Sequence, residues 1–579
     1  MTASQSKRWR ILRRCLVGAA ILLTLTATFY TEESWRGKRA WENCKREMEA
    51  KGIKMNWAEY IPAPVPDAEN VFAVPEMQAW FVGRAGTELS KKIIAIGNSN
   101  SPSLRIAVAD LAIGLPGAVP PSGFAVVSYG DPQAKAEVSR LIGDAIGPTF
   151  MDPIALPHTL RRPEEIHAAK IFLQCQTAPT AKELEQFLTK PLISAWRFSN
   201  DHEKVQVEPA ASGSYQVTIL APDTTADYLA RNAALEPEFT LIRQALQRPY
   251  TRINGDYQNP LEIPIPNFVA IRTISQRLGA LAQCHLLQGQ PEEALRDLTL
   301  LHDLCRILES RPSGKPMTVV AAMIHVAVAG LYTSAIADGL AWHAWREPQL
   351  VALQEQLQEI NLLPDVRFAI EEEPAAICCM VQTVTPARMV QLLSFNTIEH
   401  PPQTNVWHDL ESSLLNALLP RGLVFQNMAH YGHLHQTIID SLDPAGQMVF
   451  PKKVDAAQQA VGAALRHHSP NTLLAKIAIP NLSRAFLTTA MNQTQVHEAL
   501  IACALERYRL AHNAYPETLD ALVPQFLAQI APDLIGAQPL HYRRADDGKF
   551  ILYSVGWNET DDGGKPGSND DWVWDDSAR

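Results

Sequence analysis

Three histidines in the stretch HYGHLH are the first candidates for metal chemistry, and they are His430, His433 and His435. On a helix, His430 and His433 share a face because they lie three positions apart, whereas His435 points elsewhere. A zinc site needs a fourth ligand, and no carboxylate follows at a recognisable spacing. Exposed or hydrogen-bonded histidines are therefore favoured over a metal site.

The carboxylates of the stretch EEEP are the candidates for acid–base chemistry. Glu371 and Glu373 lie two positions apart in this stretch, just before Pro374. Residues at this spacing do not face each other on a helix. We therefore expect a solvated helix face and not a pair of cooperating carboxylates.

An acidic run near the end of the chain is the third candidate. From Glu559 to Asp576 it carries seven carboxylates and a single lysine, Lys565. Calcium ions take roughly six to eight oxygen ligands from flexible loops of this kind. The alternative is a solvated acidic tail that binds no ion.

The remaining sequence contains no recognisable catalytic motif. It has no GxSxG elbow, no P-loop and no CxxC pair among its eight cysteines. The spread of the cysteines favours free, buried thiols, and one or two disulfides are the alternative in an oxidising compartment. The net charge of −10 argues against nucleic-acid binding. Enzymatic activity is therefore not indicated.

The amino-terminal segment predicts a membrane anchor. Five cations between Lys7 and Arg14 precede an uncharged apolar run from Cys15 to Tyr30. The run is short for a span of about 20 residues, but Ile11 and Leu12 extend it if the arginines reach back to the interface. The sequence lacks a good small-residue cleavage site, which favours an uncleaved anchor over a cleaved signal peptide.

The charges beside this run predict its orientation. The basic flank places the amino terminus in the cytoplasm and the body outside it. The cations at Arg36, Lys38 and Arg39, beyond the run, weaken this assignment. We expect a single-pass protein of the bacterial inner membrane with its body in the periplasm.

The pattern of predicted helices and strands along the chain indicates a mainly α fold in five parts. These are an anchor with its basic flank (1–31), a helical stalk with a proline-rich linker (32–66), a mixed α+β region (67–225), a helical body (226–490) and a small α+β module (491–579). In the mixed region, Thr180 and Glu183 form a capping-box pattern. FAVVSYG and YQVTILAP are typical of strands.

Two stretches of the helical body are informative. One predicts a helical hairpin in which Gly289 ends the first helix and Pro291 begins the second. Its packing positions resemble a single tetratricopeptide (TPR-like) repeat: Leu281, Ala282, His285, Gly289, Ala294 and Leu298. An ordinary helical hairpin is the alternative. The nearly uncharged stretch from Met317 to Leu340 favours a buried core helix over a second membrane span.

The carboxyl-terminal module begins with the end of a long helix. Asn513 is suited to the left-handed C-cap, and Pro516 prevents the helix from continuing. Two strands joined by a turn at Asp546-Asp547-Gly548 follow. The motifs after the helix are Tyr515-Pro516, Leu519 to Leu522, Pro532-Asp533, Gly536, Pro539, Tyr542, Tyr553-Ser554-Val555-Gly556, Gly563-Gly564 and Asp571-Trp572.

The order of these motifs resembles the globular part of type II secretion major pseudopilins, over about 80 residues. The resemblance implies a small antiparallel sheet packed on the helix. It also implies a calcium site in the acidic loop. The ligands would be the backbone carbonyl of Val555, the side chain of Asn558 and the pair Asp570-Asp571, with Asp561 and Asp562 as additional oxygen donors. Asn558 stands where the family has Asp, which would weaken binding.

The resemblance does not extend to the other end of the chain. The processed start and the polymerising helix of pseudopilins are absent, so we do not expect a pilus subunit. The sequence predicts a membrane-tethered, periplasm-facing interaction or scaffold protein, with secretion components as candidate partners. The alternative is an envelope hydrolase whose site assembles in the helical body from residues such as His430, His433 or Glu371.

Overall fold

Most of the described chain is helical, with one mixed and one antiparallel sheet. The computed structural model describes residues 3–83, 87–97, 104–146, 168–196, 205–210, 214–221, 225–260, 262–309, 317–383, 421–443, 445, 447–466, 469–479, 482–536, 538–545, 548–565 and 571–575. Within these ranges the strands lie between 104 and 221 and between 541 and 575, as predicted. The mainly α fold class is therefore confirmed, and the five boundaries stay predictions.

The α-helices of the described ranges form most of the body. In chain order they are α1 (Ala3–Ala50), α2 (Pro75–Phe81), α3 (Glu88–Gly97), α4 (Ala134–Ile146), α5 (Ala181–Trp196), α6 (Thr225–Asn232), α7 (Glu236–Ala245), α8 (Phe268–Leu287), α9 (Pro291–Leu308), α10 (Val319–Ala341), α11 (Glu347–Glu359), α12 (Leu362–Thr383), α13 (Arg421–Ile439), α14 (Pro451–Arg466), α15 (Leu473–Ala478) and α16 (Leu482–His512).

The first helix runs without a break from the apolar segment into the body. Leu16, Ile21, Leu23 and Phe29 are each more than half exposed, so this part of α1 has no protein cover. Further along, Trp41, Cys44 and Met48 join the main core. The predicted apolar helix is confirmed, and so is its continuation beyond residue 32.

The mixed region folds around a five-stranded sheet. Its strands are β1 (Leu104–Gly114), β2 (Ala125–Ser128), β3 (Ala169–Gln174), β4 (Val205–Pro209) and β5 (Ser214–Ala221), in the order β2-β3-β1-β5-β4. β2, β3 and β1 are parallel, and β5 pairs antiparallel with β1 and β4. Alternate residues such as Leu111, Ile171 and Val217 form a core separate from that of the body.

Local sequence signals act as predicted at two helix ends. At the start of α5, the Thr180 backbone N–H donates to Glu183, and the Glu183 N–H donates back to the Thr180 hydroxyl. At the end of α8, Gly289 has φ +71°, and α9 begins with Pro291. The α8–α9 hairpin is therefore confirmed, and its likeness to a TPR repeat stays a prediction.

Helix α10 lies at the centre of the helical body. It packs against α8, α9, α12 and α16. It is apolar enough to cross a membrane, yet 61% of its most apolar stretch is buried inside the protein. Small residues such as Ala322, Ala329 and Ala335 let its neighbours approach closely. Its role as a core helix fits the preferred prediction.

The carboxyl-terminal module shares the core of the body. Helix α16 crosses the predicted boundary at 490/491 and packs on both α10 and α11. Asn513 adopts φ +58° at its end, as predicted for the C-cap. The strands β6 (His541–Arg544), β7 (Phe550–Ser554) and β8 (Trp572–Asp575) form an antiparallel sheet in that order. The turn residues Asp546 and Asp547 lie outside the described residues.

Candidate functional site

The acidic loop follows strand β7 and returns to begin β8. Asp571, at its end, is almost completely buried. Its carboxylate accepts hydrogen bonds from the backbone N–H of Asp562 and from that of Gly564 (2.6 Å). The loop is therefore folded back onto Asp571 by hydrogen bonds to a buried anion, which are the stronger kind.

The other predicted ligands lie on the outer side of this loop. Asn558 donates its side-chain amide to Asp562 (2.8 Å), and Asp561 accepts from the backbone N–H of Gly563 and from the Tyr553 hydroxyl. Val555 is half-buried, and its backbone N–H donates to Asp533. Asp570 lies outside the described residues.

The donor chemistry of the acidic loop fits a calcium ion. Every predicted ligand offers carboxylate, amide or backbone carbonyl oxygen, the ligand type that calcium prefers. Within the described ranges, no three His, Cys, Asp or Glu side chains converge on one point. The fit therefore rests on donor type, and the residues that would hold the ion are Asp561, Asp562, Asn558 and the carbonyl of Val555.

A second buried carboxylate holds the base of the same module. Asp533 accepts hydrogen bonds from the Ser554 hydroxyl (2.8 Å) and from the backbone N–H of Ile535 and Val555. Nearby, the Tyr542 hydroxyl donates to the carbonyl of Pro516. Asp533 and Tyr542, which belong to the motifs that resemble those of pseudopilins, thus form hydrogen bonds within this module.

The three histidines of HYGHLH do not assemble a metal site among the described residues. His430 and His433 are exposed on α13, and His433 lies 3.1 Å from Glu47 of α1. His435 is fully buried, and its Nε2 lies 3.1 Å from the Glu373 carboxylate. The favoured reading of hydrogen-bonded or exposed histidines agrees with this arrangement.

The expected solvated face at EEEP is wrong. Glu371 pairs with Arg367 on the same helix (2.6 Å), and Glu373 pairs with His435 across the α12–α13 contact. Between them, Glu372 is buried and neither of its carboxyl oxygens has a hydrogen-bond partner. Packing of α12 inside the body removes from water a helix face that the sequence pattern predicts to be solvated.

This burial changes the charge state of Glu372. Desolvation, aided by the neighbouring charge of Glu373, raises the pKa of Glu372 to about 10. Glu372 is therefore a neutral acid at pH 7. Tyr431, with its ring centroid 5.5 Å from that of His435, also buries a hydroxyl that has no partner.

A small pocket lies close to this cluster in the part of the chain that the structure describes. A pocket beside Arg367, lined also by Ser441, Asp443, Phe450 and Phe486, has a volume of about 20 Å³. That is room for roughly one water molecule. Glu373 and His435 form a polar contact between α12 and α13, and Glu371 pairs within α12.

A different group of reactive side chains meets inside the body. His325 Nδ1 on α10 lies 3.3 Å from an oxygen of Asp365 on α12, and the nearby thiol of Cys305 on α9 donates to the carbonyl of Leu301. Sequence reasoning missed this group because its members are separated by at least 20 positions. The one signal was His325 itself, an ionisable residue within an otherwise apolar helix.

No protein-family model, curated protein or solved structure matches the chain. The likeness of the last 80 or so residues to pseudopilins therefore remains an expectation based on motif order.

Proposed function

We propose that the protein is a membrane-tethered scaffold whose helical body is held rigidly against the outer face of the bacterial inner membrane. The observation that carries this proposal is the continuity of α1. Its exposed apolar part supplies the anchor, and its second part is a packed element of the body. No loop separates the two, so the body follows the orientation of the anchor.

The aromatic residues of α1 support its placement in a bilayer. Trp9 and Trp35 are both exposed, at 68% and 60%. They lie 26 positions apart, which corresponds to about 39 Å of helix. A bilayer with its headgroups is roughly 40 Å thick, and tryptophans favour its two interfaces.

The contact between α1 and α13 supports a rigid joint. The two helices run parallel, since Glu33 meets Gln426, Cys44 meets Ala429, and Lys51 pairs with Asp440 (2.6 Å). The parallel contact begins beside the apolar run and continues to the end of α1. It therefore fixes the body to the anchor over several helical turns.

Retention in the membrane tests the anchor. We expect the intact chain, with its amino-terminal peptide still present, to stay in the membrane pellet after alkaline carbonate extraction. Replacing both Leu22 and Leu23 by Glu should release it, because charges in the apolar run are costly in a bilayer. Val119→Glu, at an exposed apolar residue far from the anchor, is the control. A mature chain that lacks the anchor would refute an uncleaved tether.

The candidate partners are components of a type II secretion system, and this part of the proposal rests on the pseudopilin resemblance. The surface concerned is the small sheet, where Arg543 and Arg544 on edge strand β6 are exposed. A photo-crosslinker at Arg543 should capture a secretion component in cells. The same group at exposed Ala463 on α14 should not. Equal capture at both positions, or none, would remove secretion from the proposal.

A further inference from the structure

An exposed group of cations lies on α1 just beyond its apolar run. Arg36, Lys38 and Arg39 fall within one helical turn, and all three are exposed. By the positive-inside rule, cations so close to a membrane span are expected on its cytoplasmic side. In the proposed orientation they lie on the opposite side, and the tether itself does not require them.

The packing of α1 on α13 leaves these cations uncovered. Gly37 is buried against the backbone of α13. With 3.6 residues per turn, Trp35 and Arg39 lie roughly 160° around the helix from Gly37. Arg36 and Lys38 lie roughly 100° from it, one on each side. The side of α1 that faces away from α13 is therefore aromatic and cationic.

The tryptophan of this group fixes its depth. Trp35 is 60% exposed, and the guanidinium carbon of Arg39 lies 5.4 Å from the centroid of its ring. This distance is that of a cation–π contact. Tryptophan rings favour the interface between the acyl chains and water. The contact therefore holds the charge of Arg39 close to the level of the lipid headgroups.

The direction of the side chains also favours a contact with lipid. In an α-helix the Cα–Cβ bonds tilt toward the amino terminus, which for α1 is the direction of the bilayer. Arg39 is the most distant of the three cations and follows Tyr30 by nine positions, or about 14 Å of helix. The headgroup layer takes up roughly 5–8 Å of this distance. A long arginine side chain can reach back across the remainder.

Few acidic groups neutralise these cations. Arg36 lies 3.6 Å from Glu33, but its side chain is 56% exposed and the pair is weak. Within the described ranges, Lys38 and Arg39 have no carboxylate at ion-pair distance. Arg421, the first residue of α13, is exposed at the same end of the α1–α13 contact. The uncovered surface is therefore positive and complementary to phosphate.

The outer cationic patch consists of Trp35, Arg36, Lys38 and Arg39. We propose that this patch binds the headgroup of an anionic phospholipid in the leaflet next to the body. The guanidinium groups offer paired donors to the phosphate oxygens, and the lysine adds a point charge. The inference rests on the proposed tether, because it needs α1 to span a bilayer. The bound lipid holds α1 at one depth, and so holds the body at one height above the membrane.

Lipid retention by the full-length protein tests this inference. The protein is placed in nanodiscs of equal parts phosphatidylglycerol and phosphatidylcholine with the same acyl chains, and native mass spectrometry counts the lipids that stay bound after release. We expect phosphatidylglycerol to be enriched. Replacing Arg36, Lys38 and Arg39 by Gln should lower the enrichment roughly threefold, because each cation near the surface attracts anionic lipid. The remaining enrichment comes from the amino-terminal cations.

A matched variant separates the patch from total charge. Lys91→Gln, Arg140→Gln and Arg346→Gln together remove the same charge at exposed positions outside α1, and should leave the enrichment unchanged. An excess of inorganic phosphate should not displace the lipid.

Three results would overturn the inference alone: equal retention of the two lipids, unchanged enrichment in the α1 variant, or displacement by phosphate. A chain that does not enter the nanodiscs would overturn the tether as well.

Discussion

Buried ionisable side chains play distinct structural roles in this protein. Asp533 and Asp571 are buried as acceptors of several hydrogen bonds, which compensate them for the loss of water. Glu506 on α16 is paired with Arg509 and with His343. Glu372 has no such compensation and is kept neutral instead. Replacing Glu372 should therefore have the clearest effect on how stability depends on pH.

Glu372→Gln should stabilise the protein increasingly as the pH rises. The pKa of Glu372 is about 10 in the folded state, above that of an unfolded glutamate, so the folded state keeps a proton that the unfolded state releases. Stability is therefore full below about pH 4 and is lost as the pH rises towards 10. Because glutamine does not titrate, the variant does not lose this stability as the pH rises.

Urea unfolding of the detergent-solubilised chain at pH 5 and pH 9 measures the effect. The stability gained by the variant should be larger at pH 9 by at least about 1 kcal/mol. Glu355→Gln, at an exposed position on α11, is the control and should show no such trend. A gain independent of pH would mean that Glu372 is ionised in the folded protein.

Sequence reasoning succeeded where the signal is local. The capping pair Thr180–Glu183, the C-cap Asn513 and the hairpin at Gly289 each depend on backbone geometry within a few positions. It failed at Glu372 and at the contact between His325 and Asp365. Those depend on which helices pack together across long separations, and the spacing of residues along one helix does not contain that information.

At the scale of elements, the close crossing of α1 and α13 joins the anchor to the body. Gly37 and Gly422 lie backbone to backbone there, and Gly432 lies against Cys44 and Met48. A Cβ on Gly422 would overlap the backbone of Glu33, so only glycine allows this approach. The close approach of α1 to α13 thus depends on glycine at these positions.

Gly422→Ala should loosen this joint. The added methyl group must push apart two helical backbones, which typically costs about 1–3 kcal/mol. Hydrogen exchange of α1 from residue 33 to residue 50 should become faster. Gly462→Ala, within α14 where a Cβ meets no atom within 4 Å, should be neutral or slightly stabilising. Identical exchange in both variants would contradict the close packing of α1 on α13.

The acidic loop is the element in which calcium is expected to act. Its carboxylates repel one another without a cation. Because extracellular-type sites have dissociation constants on the order of 10⁻⁴ to 10⁻³ M, we expect about 10 mM calcium to slow proteolysis of the loop roughly tenfold relative to EDTA.

A variant that spares the buried supports of the loop tests the calcium assignment. Asp562→Asn removes a proposed ligand while Asp571 still accepts its backbone hydrogen bonds. It should reduce the protection by calcium, whereas Glu517→Gln, an exposed partner of Arg544 outside the loop, should not. Equal rates of proteolysis with calcium and with EDTA in the unmodified chain would show that the loop is a solvated acidic segment that binds no calcium. The intact chain is needed, because Phe550, Leu552 and Trp574 of this module belong to the main core.

At the scale of the whole molecule, one helix connects an uncovered apolar segment to a folded body. The helical body and the carboxyl-terminal module share a core, and the mixed sheet has its own. The coarse division into helical and mixed parts follows from residue patterns along the chain. Residue patterns do not show that the helical body and the carboxyl-terminal module share one core, because this depends on the packing of α16 against α10 and α11.

The orientation of the body across the membrane is the central claim, and an alkaline-phosphatase fusion after Arg579 measures it directly. Phosphatase folds only outside the cytoplasm of bacterial cells, so the fusion should be active. The matched fusion without residues 15–30 should be inactive, because it lacks the apolar run. An inactive full-length fusion, together with a fluorescent cytoplasmic reporter at the same position, would place the body inside the cell and contradict the account.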